Sequence, residues 1–262
     1  MSDTTPDASP TAPPASAAGA QLAGLRDLLT TATQRLLGST IVVTDEQWAG
    51  PSRLPGWTRA HVATHVARQA DGLARLVDGA AQGVPQPMYA SPEARAAEIE
   101  DGAGRSGLEL QTDLDTSAER LTEAFERLDR VQPDAAGGTG SAGWSAAVEM
   151  RGGLVVPARL LPVGRLFEVE VHHVDLGVGH EVTDIEPEVA EWLIEWIAFR
   201  ARARDEFPRV ELRTASGFTT TVGQVGPGLV VQGDAPALVG WLTNRLEPDA
   251  VPGTQGLRLP SL

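Results

Sequence analysis

The stretch Val163–Val178, VGRLFEVEVHHVDLGV, decides the fold. On a helical wheel at about 100° per residue with Glu168 at zero, His172 falls near +40°, Arg165 near +60° and Asp175 near −20°. These four polar residues make one stripe. Phe167, Val171, Val174 and Val178 border it on one side, and Leu166, Val169 and Leu176 on the other. Glu170 and His173 fall near the opposite side. A polar stripe with apolar borders is unlike a solvated face. It fits groups turned into a helical bundle, where they must be paired or bound to metal. Spacing alone is equally compatible with an ordinary i,i+4 Glu–His hydrogen bond on a surface.

Outward from this segment, three more helices of bundle length are expected. Leu22, Leu25, Leu28, Leu29 and Leu36 recur at helical spacing between about Gln21 and Leu37. The run PSRLPGW, Pro51–Trp57, reads as a turn. Thr58 then stands where an N-cap belongs, for a helix running to about Val77. A third helix is expected from about Leu108 to Leu128, and Ser91-Pro92 caps a short one ending near Glu100. Asp134–Gly143 reads as flexible, and Trp144–Arg151 resists assignment. Four long helices with long connections make a four-helix bundle the simplest architecture.

Beyond the bundle, Glu186 to about Arg204 reads as an amphipathic helix carrying Trp192 and Trp196. The texture then changes to β-type alternation at Val210–Thr214, Thr219–Val222 and Leu229–Gln232, and Asp234 caps a last helix through Leu246. The fold class expected is mainly α plus α+β, in three parts. Residues 1–19, with four prolines, form a disordered tail. Residues 20–183 form the bundle and residues 184–262 a small α+β domain.

Composition narrows the chemistry. The net charge is −14, from 35 acids and 21 bases, which argues against nucleic acid and membrane surfaces as partners. All the bases are arginine, so Schiff-base chemistry and a P-loop lysine are excluded. There is no cysteine, so any thiol chemistry must use a thiol from outside the chain. The N-terminus lacks the basic and apolar regions of a signal peptide, so a cytoplasmic protein, most simply a monomer, is expected.

Two of the five histidines, His61 and His65, lie one helical turn apart in the second helix. His65 is nearer the apolar arc of Val62, Val66, Leu73 and Val77, which makes it the inward candidate; His61 sits in the first turn. Together His65, Glu168 and His172 offer two imidazoles and one carboxylate. That set suits Zn²⁺ with an open fourth position, and Fe²⁺ can use the same ligands. Asp175 could accept the second ring N–H of His172.

Four segments carry a family resemblance: LPGWTRAHVATHVARQADGLARL (Leu54–Leu76), PMYASPEARAAEIEDGAGR (Pro87–Arg105), GRLFEVEVHHVDLG (Gly164–Gly177) and VVQGDAPALVGWLTNRL (Val230–Leu246). Together they resemble the mycothiol-dependent maleylpyruvate isomerases, which belong to the DinB-like metal-binding bundles. The resemblance implies metal ligands at His65, Glu168 and His172, and substrate-side arginines at Arg95 and Arg245. Relatives usually carry Gly where this chain has Asn244, so the backbone before Arg245 could differ.

The implied chemistry is cis–trans isomerisation. Mycothiol, activated as a thiolate by the metal, adds to the double bond of maleylpyruvate; the resulting single bond rotates, and elimination gives fumarylpyruvate. The expected partners are thus a small anionic substrate and mycothiol, with Zn²⁺ as cofactor. Two other readings use the same sequence: an S-transferase that conjugates electrophiles to mycothiol, and a non-catalytic metal-binding interaction protein. Gentisate-pathway genes beside this one would favour the isomerase.

Overall fold

The computed structural model describes residues 15–131, 143–202 and 204–261. Four long helices form the bundle: α1 (Ala15–Thr40), α3 (Arg59–Gln82), α5 (Gly107–Asp129) and α6 (Leu161–Leu176). Helix α3 is central, packed on both α5 and α6, and α1 closes the other side against α6 and α5. Their apolar stripes meet in a core that includes Leu25, Leu36, Leu73, Leu114, Leu128 and Leu166.

Helix α1 begins at Ala15, so residues 15–19 are helical and not part of the expected tail. Ala15, Ala17 and Ala18 are of the residue type with the highest helix propensity. Residues 1–14 of that tail, and 134–142 of the expected flexible stretch, lie outside the described residues.

Capping sets several boundaries. Thr58 is the N-cap of α3, in a capping box completed by His61, and Gly83 ends the helix in the left-handed conformation. That end lies five residues beyond the expected Val77. A short helix that the sequence did not announce, α2 (Asp45–Ala49), is capped by Thr44 and Gln47 and buries Trp48. Ser91 and Pro92 start α4 (Pro92–Gly102) as expected. The unassigned segment is a β-hairpin, with β1 (Ala147–Met150) antiparallel to β2 (Leu154–Pro157) and Gly152 and Gly153 both at positive φ between them.

After the bundle, α7 (Pro187–Ala201) and α8 (Ala235–Leu242) pack on each other, and α7 also packs on a three-stranded sheet. The sheet order is β4 (Thr219–Val222), β3 (Pro208–Arg213), β5 (Val225–Gln232); β3 runs antiparallel to β4 and parallel to β5. The last helix stops at Leu242, four residues short of expectation, and Asn244 follows at φ 58°. Buried apolar residues of bundle and sheet belong to one contiguous cluster. No helix among the described residues is long and apolar enough to cross a membrane.

Helix α4 lies against α3 by a very close approach at Gly102. A Cβ there would stand 2.3 Å from Cγ2 of Thr64, whose side chain is fully buried. Gly102→Ala should therefore destabilise the protein by about 1–3 kcal/mol through overpacking. Adding Thr64→Ala should recover most of that loss. Urea unfolding of the two variants checks both expectations, and a neutral Gly102→Ala would contradict the packing.

Candidate metal centre

Helix α6 is rich in Val, a poor helix former, so burial rather than propensity holds it. It begins after a single 3-10 turn with Pro162 in its first turn and ends at Gly177 in the left-handed conformation. Between these ends the expected stripe faces α3. Arg165 and Asp175 are fully buried, while Glu168 and His172 are partly so.

His65, Glu168 and His172 meet. Their facing atoms form a nearly equilateral triangle: His65 Nε2 to Glu168 Oε2 is 3.2 Å, His65 Nε2 to His172 Nε2 is 3.1 Å, and His172 Nε2 to Glu168 Oε2 is 3.2 Å. Ligand atoms on one ion with bonds of about 2.0–2.2 Å stand roughly 3–3.5 Å apart, so the triangle has the dimensions of a metal site. Side-chain exposures of 10%, 21% and 12% leave the group partly accessible. Among the described residues this is the only group of three such side chains close enough to share an ion. His61 is occupied elsewhere: its Nδ1 accepts from the backbone N–H of Thr58 in the helix cap.

The surroundings orient the ligands. Asp175 Oδ2 accepts from Nδ1 of His172 at 2.8 Å, which leaves Nε2 for the triangle. Arg245 clasps the same carboxylate with two parallel bonds, Nε to Oδ1 at 3.1 Å and Nη2 to Oδ2 at 2.7 Å, and donates from Nη1 to the carbonyl of Thr243. Arg245 thus reaches the centre by way of Asp175. Asn244, at φ 58°, takes a left-handed backbone that Asn tolerates and makes the turn before Arg245. On the other flank, Arg95 Nη2 donates to Nδ1 of His65 at 3.0 Å, and its guanidinium lies 5.6 Å from the Tyr89 ring centre. The Met88–Tyr89 stretch is pinned to α3 by Arg75, whose Nη2 donates to the Met88 carbonyl at 2.7 Å, and by Gly72, where a Cβ would meet Met88 Cγ at 2.9 Å.

Electrostatics separates the two histidines. Burial pushes the His65 pKa down to about 4, with Glu168 only partly opposing. Burial also acts on His172, but the hydrogen bonds to Asp175 and Glu168 outweigh it and raise the pKa to about 9. Burial works to raise Glu168, yet its hydrogen bonds to the two histidines hold it well below the usual carboxylate range. Arg165, wholly buried, is lowered to about 10 by desolvation while donating to the Val66 carbonyl and Gln69 Oε1 at 2.7 Å each.

Two cations near the centre had no signal in the sequence. Arg200, at the end of α7, lies over the Phe167 ring at 5.7 Å; burial lowers its pKa, the charge of Glu168 opposes that, and the charge of Arg151 adds to it. Neither Arg200 nor Arg151 has a carboxylate partner among the described residues. The back of α6 was also unforeseen. Glu170 and His173 are as buried there as the stripe, with His173 stacked on His180 at 4.0 Å and His180 Nε2 3.2 Å from Glu170.

A helical bundle whose central helices aim two imidazoles and a carboxylate at one point defines a metal-binding class of protein. The chain belongs to the family described as the mycothiol maleylpyruvate isomerase N-terminal domain, whose model matches residues 28–177, more than half of its length. It is similar in structure to the mycothiol-dependent maleylpyruvate isomerase seen in a crystal structure, with 27% identity and a TM-score of 0.78 over 92% of this chain and 97% of that one. A histidine-to-alanine mutant of that isomerase matches with the same figures. No curated protein sequence matches the chain.

The raised pKa of His172 depends on the anionic acceptor behind it. In metal-stripped protein, Asp175→Asn should bring that pKa down from about 9 toward or below the ordinary histidine value, since burial then acts with less opposition. The imidazolium form is lost as pH rises through the folded-state pKa, so the variant should lose its His172 proton at lower pH than the parent. NMR titration of the His172 ring reads the shift directly. An unchanged midpoint would mean that Glu168 alone sets it.

Proposed function

We propose that the protein is a mycothiol-dependent isomerase that converts maleylpyruvate to fumarylpyruvate, with Zn²⁺ held by His65, Glu168 and His172. The observation that carries this reading is the ion-sized triangle of ligand atoms, partly accessible, in a chain of this family. When bound, the metal lowers the pKa of the external thiol so that thiolate is available near pH 7. The chain supplies no thiol of its own, having no cysteine.

The residues around the triangle act on charge and position. Asp175 holds the His172 proton on Nδ1 and keeps Nε2 directed at the ion. Ligation through His65 Nε2 leaves the His65 proton on Nδ1, facing the donor of Arg95; two donors repel, so Arg95 is released to bind a carboxylate or the oxygen of a conjugated ketone. Arg151 and Arg200 add positive charge on the same side, which in a chain of net charge −14 is a local provision for an anion. Arg245 belongs to the same set of arginines: it positions Asp175, and two of its five N–H groups remain for substrate. The division into a bundle, residues 20–183, and an end domain, residues 184–262, is part of this reading, with Arg245 the end domain's contribution.

Purified protein should contain about one zinc per chain by elemental analysis. His65→Ala, Glu168→Ala and His172→Ala should each lose it, whereas His61→Ala should keep it. Full zinc in His65→Ala would refute the ligand set.

Turnover should require the thiol. Maleylpyruvate alone should be inert, and mycothiol should start isomerisation. Arg95→Ala should keep its zinc and lose about ten- to a hundredfold in rate, the value of one charge-assisted hydrogen bond of roughly 1.5–3 kcal/mol. Thiol-independent isomerisation would sink addition and elimination as the route. An inert maleylpyruvate beside rapid conjugation of a simple electrophile would replace the isomerase by an S-transferase.

A further inference from the structure

A groove of about 930 Å³ opens beside the metal centre, between the Val84–Ser91 loop, the start of α4 and the β1–β2 hairpin. That volume stands at the upper end of small-ligand sites, roughly 300–1,000 Å³, and exceeds what a seven-carbon keto acid fills. Its walls are largely aliphatic: Leu76, Val84, Pro85, Pro87, Val148 and Val155. Val84 and Val155 remain 51% and 59% exposed, so the groove leaves apolar surface uncovered. The strand register puts Glu149 opposite Val155, and Glu149 and Arg151 are the charged hairpin residues in the lining.

The inner end differs. Arg95 lines it, one imidazole away from the ligand triangle. Its Nε is buried and has no hydrogen-bond partner, an arrangement that costs stability unless an acceptor arrives. A carboxylate or conjugated carbonyl on Arg95 would satisfy that atom, and whatever the group carries would then lie along the aliphatic walls. Polar groups of Gln86, Ser91 and Glu149 also stand in the lining, but along the aliphatic stretch of the walls an apolar chain gains on every carbon buried.

We propose that this groove binds the apolar tail of the enzyme's electrophile, an elongated carboxylate or conjugated ketone whose oxygens sit on Arg95 and whose chain runs out between Val84 and Val155. The inference rests on the thiol-dependent reading for which end of the ligand reacts, and on the groove alone for the tail. It makes the substrate larger and greasier than maleylpyruvate, with the small acid a minimal version of it.

Unreactive straight-chain carboxylates test the groove without turnover. Calorimetric titration of the zinc-loaded protein with butanoate, hexanoate, octanoate and decanoate should show affinity rising about fourfold per added methylene. Ala147→Trp, an exposed groove-wall position on β1, should flatten that rise while leaving butanoate unchanged. Arg95→Gln should weaken every length about equally. Affinity independent of chain length overturns the proposal. So does a rise that survives Ala147→Trp, because the chain then lies elsewhere. Displacement of decanoate by a sulfur-free glucosaminyl inositol, the sugar part of mycothiol, would give the groove to the thiol instead. A protein that binds by this rule yet isomerises without a thiol keeps the groove and loses the thiol reading. One that needs the thiol but ignores chain length loses only the groove.

Discussion

Placing Glu168 inside an apolar bundle constrains much of what surrounds it. A carboxylate in that position is costly unless positive or hydrogen-bonding groups face it. Here one of its oxygens, Oε2, is met by His65 from α3 and by His172 from its own helix. His172 needs an anion behind it, which is Asp175; Asp175, 1% exposed, needs a further cation, which is Arg245. The polar chain therefore passes from α3 through α6 to the turn after α8. It ties the end unit to the bundle by compensation of charge as well as by packing.

The same chain explains why the helices can be positioned by few residues. Thr58 and Gly83 fix where α3 starts and stops, which sets His65 at the level of Glu168. Gly72 and Gly102 let the loop and α4 lie flat on α3, which brings Arg95 to the far side of the His65 ring. Side chains the size of alanine at those two points would lift the elements that carry Tyr89 and Arg95.

Much of this was legible in the sequence because burial imposes periodicity. The stripe of α6 stood out since apolar residues bordered it on both sides, and the choice of His65 over His61 followed from the apolar arc of α3. The opposite face of α6 was not legible. Glu170 and His173 are polar and look solvated on a wheel, but α1 and the turn before α7 cover them, and His173 finds Ser39 and His180 as partners. Periodicity cannot report polar groups satisfied by distant residues. The β1–β2 hairpin was missed for another reason: four-residue strands around two glycines carry too few side chains to set a pattern. Arg151 and Arg200 became meaningful only when that hairpin and α7 folded beside Glu168.

Arg245 shows how a motif and its geometry divide the information. The family resemblance of the Val230–Leu246 segment implied a substrate-side role for it. The fold supplies another partner, since both oxygens of Asp175 meet its guanidinium. A bidentate pair of this kind holds a carboxylate in orientation as well as in charge. Asp175 in turn sets the His172 tautomer, so a residue of the end unit controls which ring nitrogen faces the ligand triangle. Asn244 belongs to that device: with φ at 58° it makes the left-handed turn that brings Arg245 back toward α6, at a position where a β-branched residue would be strained. The end unit is thereby joined to the chemistry through one turn, one arginine and one buried carboxylate.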